Sequence, residues 1–226
     1  MSLDLIERAV RWWASVEAYI PGFLGAAWLA FQITLVIIAL TWAFGLLAAL
    51  GKISPYWWLR WPAGFYVWFI RGTPTLIQVF LFYFGLPQLG VRLSPFTAGA
   101  LALGINGGAY VAEIIRGGLL AIPKGQMESA LAIGLTPLQA MTRIILPQVF
   151  RIILPPLTNE AATTLKNTSL LSTITIMELT LHTQLAIAAT YRPFDFYIIA
   201  AILYLIMTTA LTQLAAWLER RYRVAY

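Results

Sequence analysis

Long apolar runs separated by short polar breaks dominate the chain. Residues 23–50 lie inside a stretch without charge from Ala18 to Gly51, longer than the roughly 20 residues needed to cross about 30 Å of hydrocarbon. Similar runs cover about 61–86, which contains Arg71, about 95–115, uncharged from Leu93 to Ala112, and about 196–218. A further run, 147–177, is apolar but interrupted by Arg151, Pro155, Pro156, Glu160 and Lys166. The pattern predicts an all-α integral membrane protein with five transmembrane helices, the fourth of them broken. Residues 1–20 mix Asp4, Glu7, Arg8, Arg11 and Glu17 with apolar positions and lack a small-residue cleavage site. They predict an amphipathic helix lying at the interface rather than a signal peptide.

Composition removes the soluble alternatives. Hydrophobic residues make up 60% of the 226 and charged residues 11%, against about a quarter charged in soluble domains, and no polar stretch could form its own core. Residues 1–226 therefore read as a single membrane domain. A net charge of +6 would suit nucleic acid if it were clustered, but Lys and Arg sit at the ends of apolar runs and no nucleic-acid partner is expected. With the amino terminus outside, Lys52, Arg60, Arg116, Lys124, Arg143, Arg151, Arg220, Arg221 and Arg223 fall inside and only Arg8, Arg11, Arg92 and Arg192 outside. That is the positive-inside arrangement, with the carboxyl terminus in the cytoplasm. The absence of cysteine and a single histidine, His182, leave no thiol chemistry and no expected metal site.

Residues 122–146 are too polar to cross and too rich in helix formers for a slack linker. They predict two short helices. The first, about Lys124 to Ile133, puts Met127, Ala130 and Leu131 on one face and stops at Gly134; Thr136 caps the second, with Pro137 at its first position. Small residues Ser129, Ala130 and Ala132 suit docking into a groove of a soluble partner. No G-x-x-x-x-G-K-[ST] loop occurs, and neither H-E-x-x-H nor G-x-S-x-G is present, so the chain carries no nucleotide site of its own and no recognisable catalytic set.

The string E-S-A-L-A-I-G, Glu128 to Gly134, followed by Ile144, Leu146 and Pro147, resembles the EAA loop of binding-protein-dependent ABC importer permeases. Ser129 departs from that pattern, standing where the family's first alanine lies. Three more strings, F-I-R-G-T-P-T-L-I-Q from Phe69, N-G-G-A-Y-V-A-E-I-I-R-G-G from Asn106 and L-K-N-T-S-L-L-S from Leu165, resemble the branch that imports polar amino acids such as histidine, glutamate, glutamine, arginine and opines. The resemblance implies a permease subunit of the bacterial cytoplasmic membrane, coupled through Glu128, Ser129, Ala130, Gly134, Ile144, Leu146 and Pro147 to an ATP-binding-cassette ATPase dimer. ATP and Mg would be bound by that ATPase. A second, identical or different, permease subunit, an extracytoplasmic solute-binding protein, an amino-acid substrate and membrane lipid complete the implied partners.

An amino acid crossing lipid needs groups of both signs in exchange for its hydration, and Glu160 and Lys166 supply one each. Six helical positions separate them by about 120° around the axis and about 9 Å along it. Convergence on one ligand therefore requires an unwound turn, for which T-T-L-K-N-T-S from Thr163 is suited; otherwise the two act separately, as an ion pair or as a lysine reaching the interface. Arg71 is expected to be an anchor capping carbonyls near Pro74, with a binding role as the alternative; Gln78 and Tyr83 either line the path or pack. Ala100, Gly104 and Gly108, four apart on the third span, predict close helix packing. An ion-coupled secondary transporter or channel subunit is the alternative function, against which the EAA-like loop counts, since a carrier has no ATPase to dock.

Overall fold

The architecture is that of a computed structural model describing residues 2–222. Arg223 lies outside the described residues, as do the side chains of Asp4, Arg8 and Arg221. Every element among the described residues is helical. Helix α1 (Ser2–Val16) leads through one 3-10 turn into α2 (Ile20–Ile53), and a tight turn at Ser54 to Tyr56 returns the chain into α3 (Trp57–Gly72). Helix α4 (Thr75–Phe80) continues irregularly to Leu89, and α5 (Pro95–Leu120) follows. Two short helices, α6 (Lys124–Ala132) and α7 (Pro137–Ala140), precede α8 (Leu146–Asn167), α9 (Leu179–Thr190) and α10 (Pro193–Tyr222).

Among the described residues four helices are long and apolar enough to cross a membrane, and a fifth crossing results if α3 and its continuation count as one span. The run at 61–86 is thus not one straight helix: its halves meet at 109°. The cause is local. Pro74 has no N–H to donate and drives Thr73 extended, at φ −118° and ψ 145°, which ends α3.

The break expected in the fourth span is displaced. Pro155 and Pro156 lie inside α8, which runs unbroken past both Glu160 and Lys166; the irregular stretch is the 3-10 segment Thr168–Ile174, closed by Thr175 at φ 67°. Threonine hydroxyls here bond back to the carbonyls of their own helix without opening it, Thr163 Oγ1 donating to Asn159 O at 3.0 Å and Thr168 Oγ1 to Leu165 O at 2.7 Å. Helix α9, between the fourth and fifth predicted spans, was not expected from hydropathy.

Helix α5 is the most enclosed of the long helices, and the reason is its small-residue seam. A Cβ on Gly104 would lie 2.6 Å from Leu40 Cβ, and one on Gly108 2.7 Å from Phe44 Cβ, so α2 and α5 approach almost backbone to backbone. Leu103, Ala100 and Ala102 pack there with Ile33, Ile37, Val79 and Leu171. A second apolar cluster joins Val16 and Phe23 to Leu179 and Phe196. Outward faces carry exposed Trp28, Leu47, Leu205 and Leu214, as lipid contact requires.

Candidate functional site

At mid-length, α2, α5 and α8 bring polar groups together inside this apolar frame. Gly107 of α5 is the contact point: a Cβ there would lie 2.6 Å from Thr41 Oγ1 and 3.3 Å from Glu160 Oε1. Thr41 is 1% exposed and its hydroxyl has no hydrogen-bond partner among the described residues, unlike Thr34 two turns earlier on the same face, whose hydroxyl donates to Ala30 O at 2.7 Å. Glu160 is half-buried, and no hydrogen bond or ion pair engages its carboxylate among the described residues. A carboxylate only accepts, and a hydroxyl donates and accepts. Together they form a seat for a group rich in N–H donors, at a depth where an uncompensated charge is costly.

The other expected path residues do not join this seat. Lys166 is exposed on α8, on the same unbroken helix as Glu160, so the convergence that an unwound turn would have allowed does not occur. Gln78 is 4% exposed and holds the bend after α3: its Nε2 donates to Ile70 O at 2.8 Å, Thr73 O at 3.2 Å and Thr73 Oγ1 at 2.7 Å, while its Oε1 accepts from Asn106 Nδ2 at 3.0 Å. The capping of carbonyls near Pro74 expected of Arg71 therefore belongs to Gln78. Arg71 itself is exposed, its guanidinium 5.3 Å from the centroid of the Tyr110 ring. Tyr83 packs against the core around Ile33 and Val79.

The loop forms the two helices its residues predict. Gly134 takes φ 88°, a left-handed stop that glycine adopts without strain. Thr136 and Gln139 make a reciprocal capping box, with Pro137 in the first turn. The second helix does not end inside the loop: α7 runs through the π turn Met141–Ile145 into α8, where Pro147 has no N–H to donate and Leu146 N–H bonds to Met141 O. Glu128, Ser129, Gly134, Leu146 and Pro147 are exposed and Ile144 half-buried. Ala130 is buried, its carbonyl accepting from Leu135 N at 3.1 Å, so it shapes the loop rather than presenting a contact. Leu131 is exposed together with Ile133 and Leu138, although Met127 is half-buried and Ala130 buried, giving the tip an apolar surface.

Sequence reasoning also passed over two residues that tie the helices together, and a third at the site. Glu113, on α5, bridges Lys52 at the end of α2 and Arg116 one turn on, the latter at 2.8 Å. Glu178 is fully buried; its carboxylate accepts from Thr180 N at 2.9 Å, Leu181 N at 3.0 Å and Tyr204 Oη at 2.8 Å, capping α9 and fastening it to α10. Thr41 lay unnoticed in the longest apolar run.

Residues 41–224 match the family described as the binding-protein-dependent transport system inner membrane component. The chain belongs to that family. Among its relatives are the probable glutamine ABC transporter permease protein GlnM of Bacillus subtilis, 41% identical over 192 residues covering 84% of this chain and 89% of that one, and the octopine transport system permease protein OccM of Rhizobium radiobacter, 42% identical with 85% of each covered. A chain in the crystal structure of an amino acid ABC transporter with histidines superposes with a TM-score of 0.87 at 39% identity, covering 92% of this chain and 98% of that chain. This permease is accordingly a multi-pass protein of the inner membrane and a transport component rather than an enzyme.

Proposed function

We propose that this permease is the membrane subunit of an ATP-driven importer of polar amino acids, with its amino terminus outside and the α6–α7 loop in the cytoplasm. The observation that carries the reading is the unpaired Glu160 carboxylate facing Thr41 across Gly107, a seat for the ammonium that every amino acid carries. The relatives named for glutamine and octopine transport support the substrate class. Further along α8, Arg151, Asn159, Thr163 and Lys166 are exposed within about 120° of the helix surface. Polar side chains at membrane depth face water or protein rather than lipid, so this stripe borders the path, which a second permease subunit closes. A substrate carboxylate released from an extracytoplasmic binding protein would meet Lys166 along that stripe. On the opposite end, exposed Leu131, Ile133 and Leu138 around Glu128 fit a cleft of the ATPase subunit.

The test is uptake and ATP hydrolysis in proteoliposomes at saturating binding protein, comparing wild type with Glu160→Gln. Loss of one charge-assisted hydrogen bond, about 1.5–3 kcal/mol, predicts roughly 10- to 100-fold weaker apparent affinity for substrate. Unchanged affinity removes Glu160 from the site. An unpaired carboxylate would also serve a proton-coupled carrier; uptake driven by a proton gradient without ATP would select that reading instead.

A further inference from the structure

Helix α3 carries a surface feature that neither the substrate seat nor the coupling loop uses. Trp57, Arg60, Trp61, Gly64, Phe65 and Trp68 recur at helical spacing and line an open groove of about 500 Å³ along one face. Gly64 makes its floor, and a Cβ there would meet no atom within 4 Å. Trp61 and Phe65 stack at 5.8 Å and Phe65 leans on Trp68 at 5.8 Å, so the walls are ordered by their own contacts. Yet Trp57, Trp61 and Trp68 are 67%, 68% and 71% exposed.

The groove has a length and a polarity. From Trp57 to Trp68 it rises about 16 Å, close to the half-thickness of a hydrocarbon core about 30 Å across. Arg60 lies near one end, exposed and without a hydrogen bond or ion pair among the described residues. Glu113, the carboxylate built into the same end of the neighbouring helices, is already held by Lys52 and Arg116, so no carboxylate among the described residues is paired with Arg60. Trp57 and Trp61, which line the groove with Arg60, each carry an indole N–H donor, and tryptophan is the residue enriched where a membrane meets its headgroups. The remaining lining is apolar.

We infer that this groove retains one anionic phospholipid of the cytoplasmic leaflet, its phosphate on Arg60 and an acyl chain lying over Gly64 between Trp61 and Trp68. Only the choice of leaflet rests on the proposed orientation. A single cation near a bilayer surface favours an anionic lipid by about fivefold.

The intact transporter, purified in detergent, is offered phosphatidylglycerol and phosphatidylcholine of identical chains and examined by native mass spectrometry. The expected result is about fivefold preferential retention of phosphatidylglycerol, reduced to no preference in Arg60→Gln, with both lipids retained less in Gly64→Leu, which fills the groove. Thermal midpoints of both variants accompany the measurement, and Arg60→Gln decides the question if Gly64→Leu proves unstable. Equal retention of the two lipids, or a preference unchanged in Arg60→Gln, overturns the inference. Displacement of the lipid by millimolar inorganic phosphate overturns it in favour of a simple anion site. Cross-linking of two copies through Gly64→Cys in native membranes overturns it in favour of a protein neighbour.

Discussion

Replacing Gln78 with leucine keeps the volume of the side chain and removes its hydrogen bonds, which isolates what holds the bend between α3 and α4. In the native bend the amide satisfies Ile70 O and Thr73 O, the carbonyls that the interrupted ladder leaves over, and accepts from Asn106 of α5. Thr73 Oγ1 keeps its own bond to Phe69 O at 3.0 Å and lies 3.5 Å from Ile70 O, so it replaces part of the loss. Thr73 O and Asn106 Nδ2 are left without that partner in a site 4% exposed at Gln78. Each buried group left unsatisfied costs about 1–3 kcal/mol, and hydrogen bonds inside membranes measure at the low end of such ranges, so Gln78→Leu should destabilise by about 2–4 kcal/mol.

Removing Asn106 as well should cost less than the sum, because Asn106→Leu in the Gln78→Leu background orphans no further donor. Unfolding in mixed micelles, followed as a double-mutant cycle, reads both quantities. A cost below about 0.5 kcal/mol for Gln78→Leu, or strict additivity of the two changes, would refute the assignment of Gln78 as the pin of the bend.

Three further outcomes follow from the same geometry. Gly107→Val puts a Cβ 2.6 Å from Thr41 Oγ1, so it should cost about 1–3 kcal/mol through overpacking and abolish substrate-stimulated ATP hydrolysis at temperatures where the protein is still folded; activity at wild-type level would show that nothing need pass between Thr41 and Glu160. Glu178→Ala strips the cap of α9 and the partner of Tyr204, and a loss on the order of 3 kcal/mol should appear as a lowered thermal midpoint with early proteolysis near α9. Ile133→Asp with Leu138→Asp alters residues 77% and 73% exposed: the fold should hold within about 0.5 kcal/mol, while co-purification of the ATPase falls about tenfold or more.

The apolar runs were legible because lipid imposes one requirement on every position of a span, and hydropathy measures it. The loop was legible for a different reason: Gly134, Thr136 and Pro137 act through their own backbones and need no neighbour. The bend at Pro74 was written in the same local chemistry, but an apolar run of sufficient length conceals a turn when the released carbonyls are satisfied from within, here by Gln78. Helix α9 escaped because its cap is a glutamate whose carboxylate reaches two N–H groups and a tyrosine distant in sequence. For the site, charge in an apolar run singled out Glu160, Lys166 and Arg71, but Lys166 and Arg71 are exposed and lie apart from Glu160. Its actual neighbours are a threonine and a glycine on two other helices, and no spacing along one segment encodes a meeting of three.

The continuity of α7 and α8 decides how the two ends of the molecule are related. From Pro137 to Glu160 the chain is one helix, about 35 Å long at 1.5 Å per residue, carrying half of the exposed loop and the unpaired carboxylate. Helix α6 is tied to it by Gln148 Nε2 donating to Gln126 Oε1 at 3.2 Å, and α5 is locked against it where Gly118 admits Ile153. On the proposed reading, a displacement of the loop by an ATPase is therefore delivered to Glu160 as a movement of the rod with α5, with the π turn at Met141–Ile145 and the pair Pro155 and Pro156 as the places where the ladder is weakest. A rod transmits but does not switch; switching needs an element with two stable arrangements. Within the chain α8 is held by both α5 and α10, so that element is sought on the face these two leave free, where Arg151, Asn159, Thr163 and Lys166 stand exposed and a second subunit has room to pack in more than one register.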